Sequence, residues 1–443
     1  MRVLIVSTSD NTGGAAVAAH RLLDALIENG VSAKMLVRDK TTDDPNVVSL
    51  NRRWLSKWYF LWERWCIFLH LNFSKKNLFQ IDTGQAGHDI TNLPEYKEAD
   101  IIHLHWINQG MLSLKGIQKI LDSGKPVVWT MHDAWPATAI CHLTLGCLNF
   151  NNECSNCKYL PNASLTHRAL RFCRRSISGT DLSTGSYSHN LSVSVWRQKQ
   201  SLYRNGKIAF VACSRWLAGE AVKSRLLSNA RVVSISNPIN TSVFLRKDKL
   251  SARQKMRLPR DMRLILFVSQ RVDNENKGMH FLIEACRILK KCYPDFKNDT
   301  GIVVLGGNCD EVASSFSFPV YPMGYVSDTN KIVDIYNAVD MFVMPSLSEN
   351  LPNTIMESMA CGTPCVGFNV GGIPEMIDHK KNGYVAEYRD SVDLAKGIHW
   401  VLEEADYDSL SKEAVLKVMR EYSAHTVASR YKEVYEEALT ANK

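Results

Sequence analysis

Two carboxylates stand eight positions apart in the segment Ser348 to Ile377, SENLPNTIMESMACGTPCVGFNVGGIPEMI. Glu349 falls in the loop after a strand expected to end at Pro345, and Glu357 falls on a helix expected to start near Pro352 to Thr354. A loop carboxylate at that point can reach sugar hydroxyls, whereas one inside the helix can accept both hydroxyls of a ribose. Between them, the helix start at Leu351, Pro352, Asn353 and Thr354 offers unpaired N–H groups and a positive dipole end, which suit a diphosphate. Gly371-Gly372-Ile373-Pro374-Glu375 predicts a second tight turn beside them.

Cations of the right kind lie upstream. Ser269-Gln270-Arg271 closes an earlier strand, and Lys277-Gly278 opens the helix that follows. Arg271 and Lys277 can stabilise a departing diphosphate as its bond to a sugar breaks, which is the work a metal does in other chemistry. No Asp-x-Asp motif is placed at a strand end, so the expected chemistry needs no catalytic metal. Gly13-Gly14, after Ser9-Asp10-Asn11-Thr12, opens a helix whose start can approach the same phosphates, and glycine permits a close backbone approach. His132-Asp133 follows the run Val127 to Met131, and His105 lies in a similar loop within His103-Leu104-His105-Trp106. Each histidine can face a ligand or sit hydrogen-bonded in a core.

These groups need rigid supports. The first half alternates short strands with helices: Arg2 to Ser7, a helix from about Ala15 to Glu28, Ala33 to Val37, Ile101 to His105, Val127 to Met131, and Phe210 to Cys213. The second half repeats the plan with Leu264 to Ser269, a helix from Met279 to Lys291, Ile302 to Leu305, Met341 to Pro345, and Pro364 to Phe368. Alternation of this kind implies parallel strands joined by crossover helices. The strand Val232 to Ile235 is followed by Ser236-Asn237-Pro238-Ile239-Asn240, a turn-forming stretch that predicts the join between two halves. Ligands of open parallel sheets sit beyond the C-terminal strand ends, so the loops above are where chemistry belongs.

The paired glutamates, Arg271, Lys277, the Gly324-Tyr325-Val326 turn and Gly13-Gly14 together resemble glycosyltransferase family 4, retaining enzymes of the GT-B fold. The likeness runs over nearly the whole chain. It implies an α/β protein with two Rossmann-like, doubly wound domains facing a cleft. Residues 1–236 would bind the acceptor, 237–425 the nucleotide sugar, and 426–443 would form a helix crossing back to the first domain. The implied activity is metal-independent hexosyl transfer, from a nucleotide-diphosphate sugar to a glycan or lipid-linked acceptor, in cell-surface or exported polysaccharide assembly. By the same likeness, Glu349, Arg271, Lys277 and His132 stand at the reacting centre. Gly13, Gly14, Tyr325, Val326, Leu351, Pro352, Asn353, Thr354 and Glu357 surround the donor. Retention without a protein nucleophile is described in the family as front-face substitution, in which the leaving phosphate takes the acceptor proton. Many members carry Gly-Phe-Gly after the first glutamate; here Asn350 to Thr354 stand instead, which leaves sugar and base preference open. A nucleotide-sugar epimerase would be expected to carry further acid and base groups. Intact Glu349, Glu357, Arg271 and Lys277 argue against a non-catalytic sugar-nucleotide-binding protein.

Two segments are peculiar to this chain. Cys141, Cys147, Cys154 and Cys157, with His142 beside the first, can close a structural zinc site or stand as free or redox-active thiols. Their surroundings resemble the colanic-acid and exported-polysaccharide subset of the family. Trp54 to Phe73, WLSKWYFLWERWCIFLHLNF, places Ser56, Lys57, Glu63, Arg64 and His70 in one helical stripe against a broad aromatic face. With Arg52-Arg53 ahead of it, this helix can lie in a membrane interface or pack on the outer face of a sheet, and its internal charges argue against spanning.

Composition sets the outer bounds. A length of 443 residues with 45% hydrophobic content suits two cored domains. An excess of 53 basic over 45 acidic residues is modest and scattered, so nucleic-acid binding is not expected. Met1-Arg2 before Val3-Leu4-Ile5-Val6 reads as a first strand rather than a signal peptide. The expected location is cytoplasmic, at the inner face of the cytoplasmic membrane, with the twelve cysteines reduced.

Overall fold

The structure is a computed structural model that describes residues 1–161, 190–293 and 299–441. It divides into two compact units: residues 1–235 with 428–443, and residues 236–427.

The first unit is built on a seven-stranded sheet in the order β3-β2-β1-β4-β5-β6-β7. The strands are β1 (Arg2–Ser9), β2 (Ser32–Asp39), β3 (Val47–Ser49), β4 (Ile101–Leu104), β5 (Val127–Met131), β6 (Ile208–Ala212) and β7 (Val232–Ser234). Every neighbouring pair is parallel. All of β4 and β5 is buried, as strands covered by helices on both faces must be. The helix α1 (Gly14–Glu28) crosses from β1 to β2 and buries its alanine and leucine stripe, Ala16, Ala18, Ala19, Leu22, Leu23, Ala25 and Leu26.

The last helix, Ala424–Thr440, contributes Tyr431 and Tyr435 to this unit. Tyr435 OH lies 2.7 Å from His103 Nδ1 on β4, and Tyr431 OH lies 2.8 Å from Thr130 Oγ1 on β5. Both tyrosines are buried, so the end of the chain seals the sheet.

The second unit holds a six-stranded sheet in the order β10-β9-β8-β11-β12-β13. Its strands are β8 (Arg263–Arg271), β9 (Thr300–Gly307), β10 (Val320–Gly324), β11 (Met341–Met344), β12 (Cys365–Phe368) and β13 (Gly383–Ala386). These too pair in parallel throughout. In both sheets the order reverses beside the first strand of the unit, between β1 and β4 and between β8 and β11. Loops leaving those strands therefore diverge and leave room for a ligand.

The strands that sequence reading leaves out are β3, β10 and β13, each at a sheet edge. They are three to five residues long, and β10 carries Pro322, which costs a ladder hydrogen bond that an edge can spare.

The aromatic helix α2 runs from Arg53 to His70. Its expected polar stripe splits on folding. Ser56, Glu63 and Arg64 are buried against the first unit, while Lys57, Trp54, Trp58, Leu61 and Trp65 face outward. Among the described residues, no helix is long and apolar enough to cross a membrane.

Candidate active site

In the second unit, the loops that carry Lys277 and Glu349 are set by backbone fit. β8 delivers Arg271, and a short turn, Glu275–Lys277, then ends in Gly278 at φ +69°. A Cβ on Gly278 would stand 1.8 Å from the carbonyl oxygen of Pro345, so only glycine lets this turn close on the loop leaving β11. Leu347 N donates to Asn276 O at 2.8 Å across the same junction. The result is a direct ion pair between Lys277 Nζ and Glu349 Oε1, with Glu349 largely covered. Gly371, at φ +59°, repeats the device: its Cβ would stand 1.6 Å from Glu349 O, and Gly372 N donates to that oxygen at 3.3 Å. Two left-handed glycines thus fix the loops that carry Lys277 and Glu349.

Arg271 does not join that pair. It is turned onto Asp273, with contacts of 3.1 and 2.7 Å, and is 71% exposed. Asp273 raises the guanidinium pKa, and Arg271 holds the Asp273 carboxyl below its usual range.

The helix carrying the second glutamate is Asn353–Ala360, with Pro352 as its N-cap and no side-chain cap. Leu351 and Pro352 are buried; Asn353 and Thr354 are half-buried, and Asn237 Nδ2 donates to Asn353 Oδ1 at 3.2 Å. Glu357 lies on the first full turn and is buried, with Tyr336 OH donating to its Oε2 at 3.0 Å. Burial first, and then Glu357, push the Tyr336 hydroxyl well above its usual pKa, so it remains a donor. Tyr336 gave no signal in the sequence, because it reaches Glu357 from a separate helix, Thr329–Ala338. At the end of β10, Gly324 takes φ +66° and Tyr325 is left 67% exposed, with Val326 half-buried.

In the first unit, Gly13 caps α1 at φ +91°. Among the described residues, nothing lies within 4 Å of where its Cβ would stand, and the demand for glycine there is conformational. Asp10 is fully buried and braces the same loop, accepting from Thr41 N and Thr42 N, both at 2.9 Å. Burial pushes its carboxyl up, but bonds from Thr42 and Thr41 outweigh this and leave it lowered.

His132 follows β5, and its Nε2 lies 2.9 Å from Nδ1 of buried His105, which follows β4. His103 lies tilted behind His105 with ring centroids 4.3 Å apart. Burial lowers all three, His132 to about 4 and His103 to about 3, so this row is neutral at physiological pH. Among the described residues, His105 Nε2 is buried without a hydrogen-bond partner.

Beside this neutral row runs a charged one. Asp133 accepts from Trp106 Nε1 at 2.9 Å and meets His142 Nδ1 at 2.7 Å. His142 Nε2 meets Asp82 Oδ2 at 2.7 Å, and Asp82 pairs with Arg64 of α2. Arg64 lies 3.8 Å from Glu63, whose Oε1 takes Thr83 N at 3.0 Å and Gly84 N at 2.8 Å. Burial alone would lower the His142 pKa; Asp133 and Asp82 outweigh it and raise it to about 10. Burial, then Asp82, raise that of Glu63. His142, which stands beside Cys141 in the sequence, is thus the cation between two carboxylates.

The four cysteines of the expected zinc site lie near enough for their thiols to act on one another electrostatically. Among the described residues, no three of them offer sulfurs within 4.8 Å of one another; the group of three ligand-type side chains that does meet this distance is His20, Asp24 and Asp44. Cys141 and Cys154 are buried, and burial raises their thiols to about 11 and about 12. Hydrogen bonds also hold the loop. Lys199 Nζ donates to Trp135 O at 2.6 Å and Thr138 O at 3.0 Å, Tyr159 OH to Leu143 O at 2.8 Å, and Ser192 Oγ to Cys154 O at 2.6 Å.

The chain is similar to known glycosyltransferases in both units. Residues 262–404 match the family model for glycosyl transferases group 1, and residues 12–243 match that for glycosyltransferase family 4. The chain is 28% identical over 220 residues to a D-inositol 3-phosphate glycosyltransferase of Thermobispora bispora, covering 47% of this chain and 51% of the relative. It is 29% identical over 179 residues to the amylovoran biosynthesis glycosyltransferase AmsK of Erwinia amylovora, covering 37% of this chain and 42% of the relative. The chain thus spans about half the length of these curated relatives. Among solved structures, sucrose-phosphate synthase of Thermosynechococcus elongatus superposes with a TM-score of 0.64 at 16% identity, covering 99% of both chains. HepE of Anabaena in complex with UDP-glucose gives 0.59 at 15% identity, covering 99% of this chain and 100% of that one, which establishes the GT-B fold. With one family model matched over more than half of its residues, this chain belongs to glycosyltransferase family 4.

Proposed function

We propose that this glycosyltransferase is a retaining, metal-independent hexosyltransferase. It would take its sugar from a nucleotide-diphosphate donor and pass it to a glycan or lipid-linked acceptor in cell-surface polysaccharide assembly. The observation that carries the donor reading is the Lys277 to Glu349 pair, held by Gly278 and Gly371 beside the start of the Asn353–Ala360 helix. Lys277 keeps part of its side chain open to solvent, so an arriving diphosphate, with more charge and more acceptor oxygens than one carboxylate, can compete with Glu349 for it. Lys277 and Arg271 then neutralise charge on the leaving diphosphate together with the helix N-terminus, which supplies electrostatically what a cation would. Glu349, released, is in place to accept from the sugar hydroxyls, and Glu357, oriented by Tyr336, from the ribose. Tyr325, exposed at the end of β10, offers a face to the base.

On this reading His132 accepts or donates as a neutral imidazole to the transferred sugar and does not act as a cationic acid. No side chain need serve as nucleophile; the leaving phosphate takes the acceptor proton as the new glycosidic bond forms. Solved neighbours hold UDP and UDP-glucose, and one relative is named for amylovoran biosynthesis, which supports the nucleotide-sugar and polysaccharide parts of the proposal.

The test is slow donor hydrolysis across UDP-, GDP- and ADP-sugars in EDTA, followed by NMR of the released sugar. Release of one sugar with its anomeric configuration kept supports the proposal. Inversion, or turnover that EDTA abolishes, contradicts it.

A further inference from the structure

The helix α2 buries Cys66, Ile67 and Leu69, as a surface helix normally turns apolar residues to the core, but it also buries the polar Ser56, Glu63 and Arg64 and leaves its largest aromatics outside. Ser56 Oγ meets His88 Nε2 at 2.9 Å, Glu63 is held by Thr83 and Gly84, and Arg64 donates to Leu78 O at 2.6 Å and Ile81 O at 3.2 Å while pairing with Asp82. These partners fix the helix in this rotation. Its outward face is aromatic: Trp54 is 87% exposed, Trp58 56%, Leu61 53% and Trp65 51%. Phe73 and Phe79, just past the helix, are 54% and 59% exposed. Tryptophans are seldom left so open on a chain that meets only water.

The exposed charges of the segment that carries this face have one sign. Residues 45–81 contain Arg52, Arg53, Lys57, Arg64, Lys75 and Lys76 and a single acid, Glu63. Glu63 and Arg64 are buried, whereas Arg52, Arg53, Lys57, Lys75 and Lys76 are all exposed. A second copy of the chain would bring five cations against five of the same sign. An anionic lipid surface meets both features, since indole rings settle among headgroups and juxtaposed lysines and arginines are drawn to acidic lipids.

We propose that the outward face of α2, with Phe73 and Phe79, docks in the interfacial layer of an anionic lipid bilayer. The buried contacts from Arg64 through Asp82 and His142 to Asp133 make the docked helix and the His132 turn one body, so docking sets that turn at a fixed height over the lipid.

The full chain is sedimented with phosphatidylcholine vesicles and with vesicles that also contain phosphatidylglycerol. The expected result is binding to the second kind alone, reversed by salt. The double variant Trp58→Ser with Trp65→Ser, and the triple variant Arg52→Gln, Arg53→Gln, Lys57→Gln, should each lower partitioning by about tenfold or more. These side chains are exposed, so unchanged circular dichroism and unchanged nucleotide-sugar binding show that the fold stands, and the outcome does not depend on sugar transfer. Absence of binding to anionic vesicles, or binding that neither variant weakens, overturns the proposal. A lipid-free dimer that dissociates in the tryptophan variant assigns the face to a second copy and overturns it too.

Discussion

The two units use the same parallel sheet and fix their site groups by different means. In the second unit, backbone shape does the work: Gly278 and Gly371 let two loops meet, and Lys277 and Glu349 follow. In the first unit, side chains far apart in sequence do it, through the charged row from Glu63 and Arg64 to Asp133 and the neutral row of His103, His105 and His132. The contrast teaches that a site built on turns tolerates solvent and can trade its ion pair for a ligand. A site built on buried charge resists rearrangement and fails when one member is lost.

Acidification separates the two most strongly. Burial depresses His88 to about 4, His103 to about 3 and His132 to about 4, while their unfolded forms titrate near 6.5. Below pH 6.5 the unfolded chain binds protons that the folded chain refuses, so the stability these groups confer is full above pH 6.5 and lost as pH falls toward 4. Each contributes up to about 1.4 kcal/mol per pH unit in that window. Hydrogen exchange at pH 7 and pH 5 should show the first unit losing protection at the lower pH; protection that does not change would break the comparison.

Arg64→Met comes next, because it leaves Asp82 and Glu63 short of their buried cation. A loss of about 3–5 kcal/mol is expected in denaturant unfolding, confined to the first unit. Gly371→Ala should cost the second unit more than about 2 kcal/mol, because the new Cβ needs a left-handed backbone and displaces Glu349. Its donor affinity should fall with its melting temperature. A smaller effect is expected from Tyr336→Phe, which removes a hydrogen bond to the Glu357 carboxylate worth about 1.5–2 kcal/mol. The nucleotide affinity should drop while the sugar-dependent part of donor binding stays unchanged, a split readable by comparing UDP with UDP-glucose if uridine is the base.

The same contrast explains what the sequence discloses. Glu349, Lys277 and the Gly371-Gly372 turn are legible because each lies at a strand end and answers to its near neighbours. The central strands are legible too, as buried apolar runs, whereas the edge strands β3, β10 and β13 are missed: each is three to five residues long and β10 is broken by Pro322. The role of His142 is not legible: its partners Asp82 and Asp133 lie 60 and 9 positions away, and adjacent Cys141 suggests a metal instead. Nor does the stripe on α2 disclose its direction, because Glu63 and Arg64 can be buried only where Asp82, Thr83 and Gly84 await them. Arg271 is legible as a cation at a strand end, while its pairing with Asp273 follows from how the turn closes.

Donor binding by the full chain tests the central claim most directly. Calorimetric titration with UDP-, GDP- and ADP-sugars in EDTA should find one that binds, with Lys277→Ala weakening it about tenfold to a hundredfold and leaving the melting temperature within a few degrees of the parent. Folded protein that binds none of them, or binding indifferent to Lys277→Ala, would contradict the account.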